Sequence, residues 1–115
     1  WVDGPGQAPG RAGPRVREQV RRMIVENYQR HVTQGKPVVL DPPAIGRLDE
    51  ISVPTLVITG DYDEPDVLAA AGKLVSGIQG ARQISIPGTA HLPNMEKPEQ
   101  FNRIVLDFLA GVPRN

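Results

Sequence analysis

Cysteine is absent from the 115 residues. That excludes disulfide frameworks, thiolate metal sites and a cysteine nucleophile, and it fits a reducing compartment, so a cytoplasmic location is the expectation. Net charge is absent too, with 13 Lys and Arg against 13 Asp and Glu. The chain as a whole therefore makes no electrostatic case for a nucleic acid or an anionic membrane surface as a partner. Apolar runs are only a few residues long, so no segment is suited to span a bilayer, and the start lacks the charged and apolar regions of a signal peptide. An initiator Met is missing as well: the chain opens at Trp1, which raises the expectation of a processed, cut or excerpted chain.

Gly and Pro are plentiful, with 12 of each, above an average usage of roughly 7% and 5%. Gly4, Pro5, Gly6, Pro9, Gly10, Gly13 and Pro14 crowd the first turns of chain. Such a segment sustains neither a helix nor a ladder, and it reads as a flexible tail or connector. The length suits one domain with one core.

Between Pro14 and Gly35, Val16, Val20, Met23, Ile24, Tyr28 and Val32 recur at the period of one helix face. Pro14 suits the first turn and Gly35 a C-terminal cap, and Glu18 with Arg22 and Glu26 with Arg30 are spaced as ion pairs. The opposite face is basic, with Arg15, Arg17, Arg21, Arg22 and Arg30, which reads as a solvated face rather than an anion site. Residues 36 to 53 form a connection broken by Pro37, Pro42, Pro43 and Gly46. The β-branched run from Val53 to Gly60 predicts a strand buried on both faces, with Pro54 at its beginning. A helix follows from Asp66, available as N-cap, to Ser76. A second strand over 81–87 and a last helix from Pro98 to the stop at Gly111 complete the order. Strand, helix, strand, loop, helix is the unit of a doubly wound parallel α/β sheet. Two strands cannot cover their own edges, so most of such a sheet is expected to lie outside this chain.

In open α/β sheets, functional groups gather where strands end. The first strand runs into Gly60-Asp61-Tyr62-Asp63-Glu64-Pro65-Asp66, and the second into Pro87-Gly88-Thr89-Ala90-His91. A carboxylate after one strand and a histidine after its neighbour can form a base whose imidazole is oriented by an acid. Asp61, Asp63 and Asp66 all compete for the acid. Alone, an Asp in a turn or a single loop His is ordinary; the pairing at two strand ends, acid before histidine, is the order of α/β-hydrolase triads.

The stretch from Ile51 to Asp63, the segment Gly88-Thr89-Ala90-His91, and Glu96-Lys97-Pro98-Glu99-Gln100-Phe101 leading to Phe108-Leu109 resemble the closing third of an α/β-hydrolase. The detail is similar to the branch of 3-oxoadipate enol-lactonases, haloperoxidase-like esterases and epoxide hydrolases, over residues 48 to 110. The resemblance implies that residues 1–47 hold a flexible start and the end of a helical cap, and that 48–115 form the C-terminal part of the hydrolase core. It implies Asp63 as triad acid and His91 as general base, with Asp61 and Asp66 as minor contenders. Glu96 and Pro98 then shape the turn into the last helix, and His31 is structural or solvent-facing.

The nucleophile is missing. Ser52, Ser76 and Ser85 do not sit in a Gly-x-Ser-x-Gly elbow, and no His-Gly-Gly segment offers oxyanion-hole amides. The expectation is a C-terminal portion of a hydrolase of esters, lactones or related acyl or epoxide bonds. It would be inactive alone, require no cofactor or metal, and depend on the missing N-terminal part of the same fold. The rival reading is a non-catalytic truncated α/β module that associates with another chain through its open sheet edge. A nucleotide-binding domain is disfavoured, since no glycine-rich phosphate loop follows either strand.

Overall fold

Parallel pairing of two five-residue strands organises the computed structural model, which describes residues 1–30 and 35–113. The elements are α1 (Gly13–Arg30), β1 (Leu56–Gly60), α2 (Pro65–Gly77), β2 (Arg82–Ile86), the short α3 (Pro93–Glu96) and α4 (Pro98–Ala110). Two short 3-10 turns, Ala44–Gly46 and Leu48–Glu50, punctuate the connection before β1. β1 and β2 run in register from Leu56 opposite Arg82 to Gly60 opposite Ile86, with α2 as the crossover packed against both. This is the arrangement that a strand, helix, strand order favours, because parallel neighbours need a crossover long enough to return the chain.

Burial is concentrated at one end of the sheet. Thr59, Gly60, Asp63, Ile86, Thr89 and Ala90 are buried, whereas Leu56 to Ile58 are half-buried and Arg82 to Ser85 exposed. The expectation of a strand buried on both faces is thus met only at its C-terminal end. A parallel strand is buried along its length only where neighbouring strands and helices cover it, and the described residues provide one partner strand. Ile84 consequently remains 37% exposed.

α2 corrects one detail. It begins at Pro65 with Glu64 in the cap position, and Asp66 lies inside the first turn, accepting from the Val67 amide at 2.9 Å. Proline's fixed φ suits the first helical position and pre-empts a cap one residue later. On α1, Glu18 pairs with Arg21, not with Arg22 as its spacing suggests, because the Arg21 fork reaches both carboxylate oxygens at 3.0 and 2.9 Å. His31 and Val32 lie outside the described residues.

The Gly- and Pro-rich start, read from composition as a tail or connector, runs as a series of turns against the loops that follow β1 and β2. Gly4 sits at φ +88, a left-handed conformation, where a Cβ would meet the Tyr62 carbonyl oxygen at 2.4 Å. Among the described residues no helix is long and apolar enough to cross a membrane.

Candidate active site

Asp63 is placed by the turn that carries the chain from β1 into α2. Its side chain is 5% exposed, and its Oδ1 accepts from the Glu64 amide at 2.8 Å. The same oxygen lies 2.8 Å from Nδ1 of His91. An ionised carboxylate can only accept, so Nδ1 carries the proton in this contact and Nε2 presents its lone pair. No described residue hydrogen-bonds to Nε2, and the imidazole is 41% exposed. A buried acid that fixes an exposed base by one ring nitrogen leaves the other free for proton transfer.

The loop carrying His91 is braced on three sides. The Thr89 hydroxyl donates to the Ile86 carbonyl at 2.8 Å, and the Thr89 carbonyl accepts from the Tyr62 amide at 2.9 Å. Asp61 accepts from the Thr89 amide at 3.2 Å, so it ties the Asp63 loop to the His91 loop and does not contact the imidazole. Glu96, at the end of α3, accepts from the Ala90 amide at 2.8 Å. Of the three competing aspartates, the structure brings only Asp63 to His91; Asp66 is engaged with its own helix. None of Ser52, Ser76 and Ser85 hydrogen-bonds to the imidazole, and Ser76 donates instead to Lys73.

Two features escaped the sequence reading. Trp1 sets its ring edge-on to His91, with centroids 5.3 Å apart. It also borders a cavity of about 450 Å³ between α1 and the loop after His91, lined by Val20, Met23, Ile24, Leu92 and Met95 and, on its polar side, by Glu26, Asn27 and Arg30. The other feature is Arg11, whose guanidinium meets Glu96 at 2.7 Å and donates to the Gly88 carbonyl at 2.7 Å. Both contacts join positions about eighty residues apart, beyond the reach of local pattern.

No family model matches the chain. It is 42% identical over 64 residues to a 2-hydroxy-6-oxononadienedioate/2-hydroxy-6-oxononatrienedioate hydrolase of Paraburkholderia xenovorans (strain LB400), covering 56% of this chain and 22% of that protein. Among solved structures, MenH from S. aureus superposes with a TM-score of 0.56 at 35% identity, covering 60% of this chain and 26% of that one. A serine hydrolase involved in carbazole degradation, CarC, gives a TM-score of 0.54 at 28% identity over 81% of this chain and 34% of that one. The chain thus spans less than two thirds of the length of the proteins it matches. The parallel strand pair, its crossover and these likenesses give the chain an α/β-hydrolase fold and support an α/β-hydrolase family for it.

Proposed function

We propose that the chain supplies the acid and the base of a hydrolytic triad, Asp63 and His91, within a larger α/β-hydrolase that acts on an ester, a lactone or a related acyl or epoxide bond. The observation that carries this reading is the 2.8 Å contact between a buried carboxylate and an exposed imidazole at adjacent parallel strand ends. The relatives' names fit a hydrolase in general: one is a 2-hydroxy-6-oxononadienedioate/2-hydroxy-6-oxononatrienedioate hydrolase, another a serine hydrolase. In this reading residues 1–47 carry the end of a cap and 48–115 the end of the core. The apolar side of the cavity beneath α1 takes the non-reacting part of a small-molecule substrate.

The chemistry follows from the geometry. His91 Nε2 takes the proton of a serine nucleophile, or of water where the nucleophile is a carboxylate. Asp63 holds the tautomer that makes this possible and stabilises the imidazolium that forms. His91 then returns the proton to the leaving oxygen. The nucleophile and the oxyanion donors come from the rest of the same fold, and the chain by itself is inactive.

Two preparations test this with p-nitrophenyl butyrate: the purified 115-residue chain, and the chain joined to the residues encoded upstream of Trp1. Enzymatic hydrolysis is expected only from the longer protein, and His91→Ala removes it. Hydrolysis by the short chain that is lost in His91→Ala overturns the claim of inactivity. A longer protein whose rate ignores His91→Ala overturns the assignment of the base.

A further inference from the structure

The acid and base leave unexplained a second ion pair a few residues away. Arg11 and Glu96 meet at 2.7 Å with side chains 16% and 5% exposed. All three nitrogens of the arginine are engaged. Nε donates to the Asp3 carbonyl at 2.6 Å, Nη1 to the Gly88 carbonyl at 2.7 Å, and Nη2 also approaches the Val2 carbonyl at 3.3 Å. Its plane lies over the Tyr62 ring, 5.5 Å from the centroid. Burying two charges costs desolvation that surface pairs avoid, and the cost is recovered only when the geometry satisfies both groups, as it does here. Covering a loop of turns would require no such pair.

The contacts converge on the backbone beside the reacting groups. Gly88 and Ala90 flank Thr89 immediately before His91, and Tyr62 immediately precedes Asp63. Arg11 grips Gly88 directly. Through Glu96 it fixes the acceptor of the Ala90 amide, since Oε2 faces the guanidinium while Oε1 takes the amide at 2.8 Å. We propose that Arg11 is a positioning residue for His91: acting through Glu96 and the Ala90 amide, it sets the histidine loop at the spacing where Nδ1–H meets Asp63. The proposal rests on the acid–base reading above. An N–H···O bond holds out to about 3.2 Å and weakens steeply once its angle falls below about 120°, so a loop that shifts by about half an ångström or turns the ring out of line loses it. Without the bond to Asp63 an imidazole favours the proton on Nε2, the tautomer that cannot act as the base.

The test is the ring-nitrogen NMR spectrum of His91 in the full chain, labelled with ¹⁵N-histidine, above the imidazole titration and with far-UV circular dichroism as the check on folding. The Nδ1–H tautomer dominates in the unsubstituted chain. Arg11→Met and Glu96→Gln each move the tautomer ratio at least tenfold toward Nε2–H with the dichroism retained. Arg11→Lys, which keeps the charge and loses the fork, falls between, and the double variant is no worse than either single one. Unchanged His91 shifts in folded Arg11→Met and Glu96→Gln overturn the proposal. Loss of the folded dichroism in both variants also overturns it, since the pair then only holds the fold. Asp63→Asn separates the two layers of argument. If it shifts the tautomer and the Arg11 and Glu96 variants do not, positioning alone fails; if it shifts nothing, the acid–base reading fails and takes the positioning role with it.

Discussion

A Cβ built on Gly60 would lie 2.3 Å from the Ala90 carbonyl oxygen, so the last residue of β1 is pressed against the backbone that leads into His91. The Thr89 carbonyl oxygen is almost as close, at 2.4 Å. Both obstacles are backbone and cannot swing aside as a side chain would. This approach brings the loops after β1 and β2 near enough for Asp63 and His91 to meet.

Gly60→Ala is therefore expected to destabilise the chain by about 1–3 kcal/mol, the usual cost of overpacking. Gly72, inside α2 with nothing within 4 Å of a Cβ, is the contrast. Gly72→Ala should stabilise by roughly 0.5–1 kcal/mol through helix propensity. Urea denaturation of the two variants, read as midpoints at unchanged slope, checks the pair.

Asp3 gives a pH prediction for the docked start of the chain. Its carboxylate accepts from the Gly10 amide at 3.0 Å and the Ala12 amide at 3.1 Å and pairs with Arg17; the two backbone bonds first, then the arginine, lower its pKa from 3.8 to about 2. A depressed acid stabilises the folded arrangement above its unfolded pKa and loses that contribution as pH falls through the folded one. The contacts made by Asp3 should thus persist at pH 4 and weaken between 3.8 and about 2. An NMR titration of the Asp3 carboxyl with the Gly10 and Ala12 amide shifts as reporters checks this. A midpoint near 3.8 with immobile amides would contradict it.

The cavity beside Trp1 predicts a dependence on substrate length in the longer protein. Val20, Met23, Ile24, Leu92 and Met95 form an apolar part of its wall, beside Glu26, Asn27 and Arg30, and each methylene buried against that part contributes about 0.8 kcal/mol, or roughly fourfold. Specificity constants for p-nitrophenyl esters should rise by about that factor per methylene until the space is filled. Met23→Lys should flatten the series. A series already flat in the unsubstituted protein would remove the cavity from the substrate's path.

Legibility in the sequence followed the range of the interaction. The β-branched run around Val57 and Ile58 and the helix period of α4 are local signals, and the corresponding elements formed within a few residues of their expected ends. Asp63 and His91 were legible because a strand end is itself a local feature and the topology brings two such ends together. The role of Asp66 was misread because Pro65 fixes the helix start one residue earlier than an N-cap aspartate would. Arg11 and Glu96 were illegible for a different reason. Arg11 sits among glycines and prolines whose local meaning is a turn, and its partner Gly88 lies 77 residues away. Composition also reads the start as a free connector, whereas the half-buried Arg11 and the Gly4 approach to Tyr62 dock it. Even the half-burial of β1 depends on neighbours that no local run encodes.

Steady-state hydrolysis by the longer protein carrying Asp63→Asn decides whether the Asp63–His91 contact is catalytic. The substitution preserves shape and removes the charge that fixes the Nδ1–H tautomer. A fall in kcat of roughly 10⁴-fold with little change in KM is expected. A turnover equal to that of the unsubstituted protein would contradict it, and the 2.8 Å contact between Asp63 and His91 would then be a structural hydrogen bond with no part in catalysis.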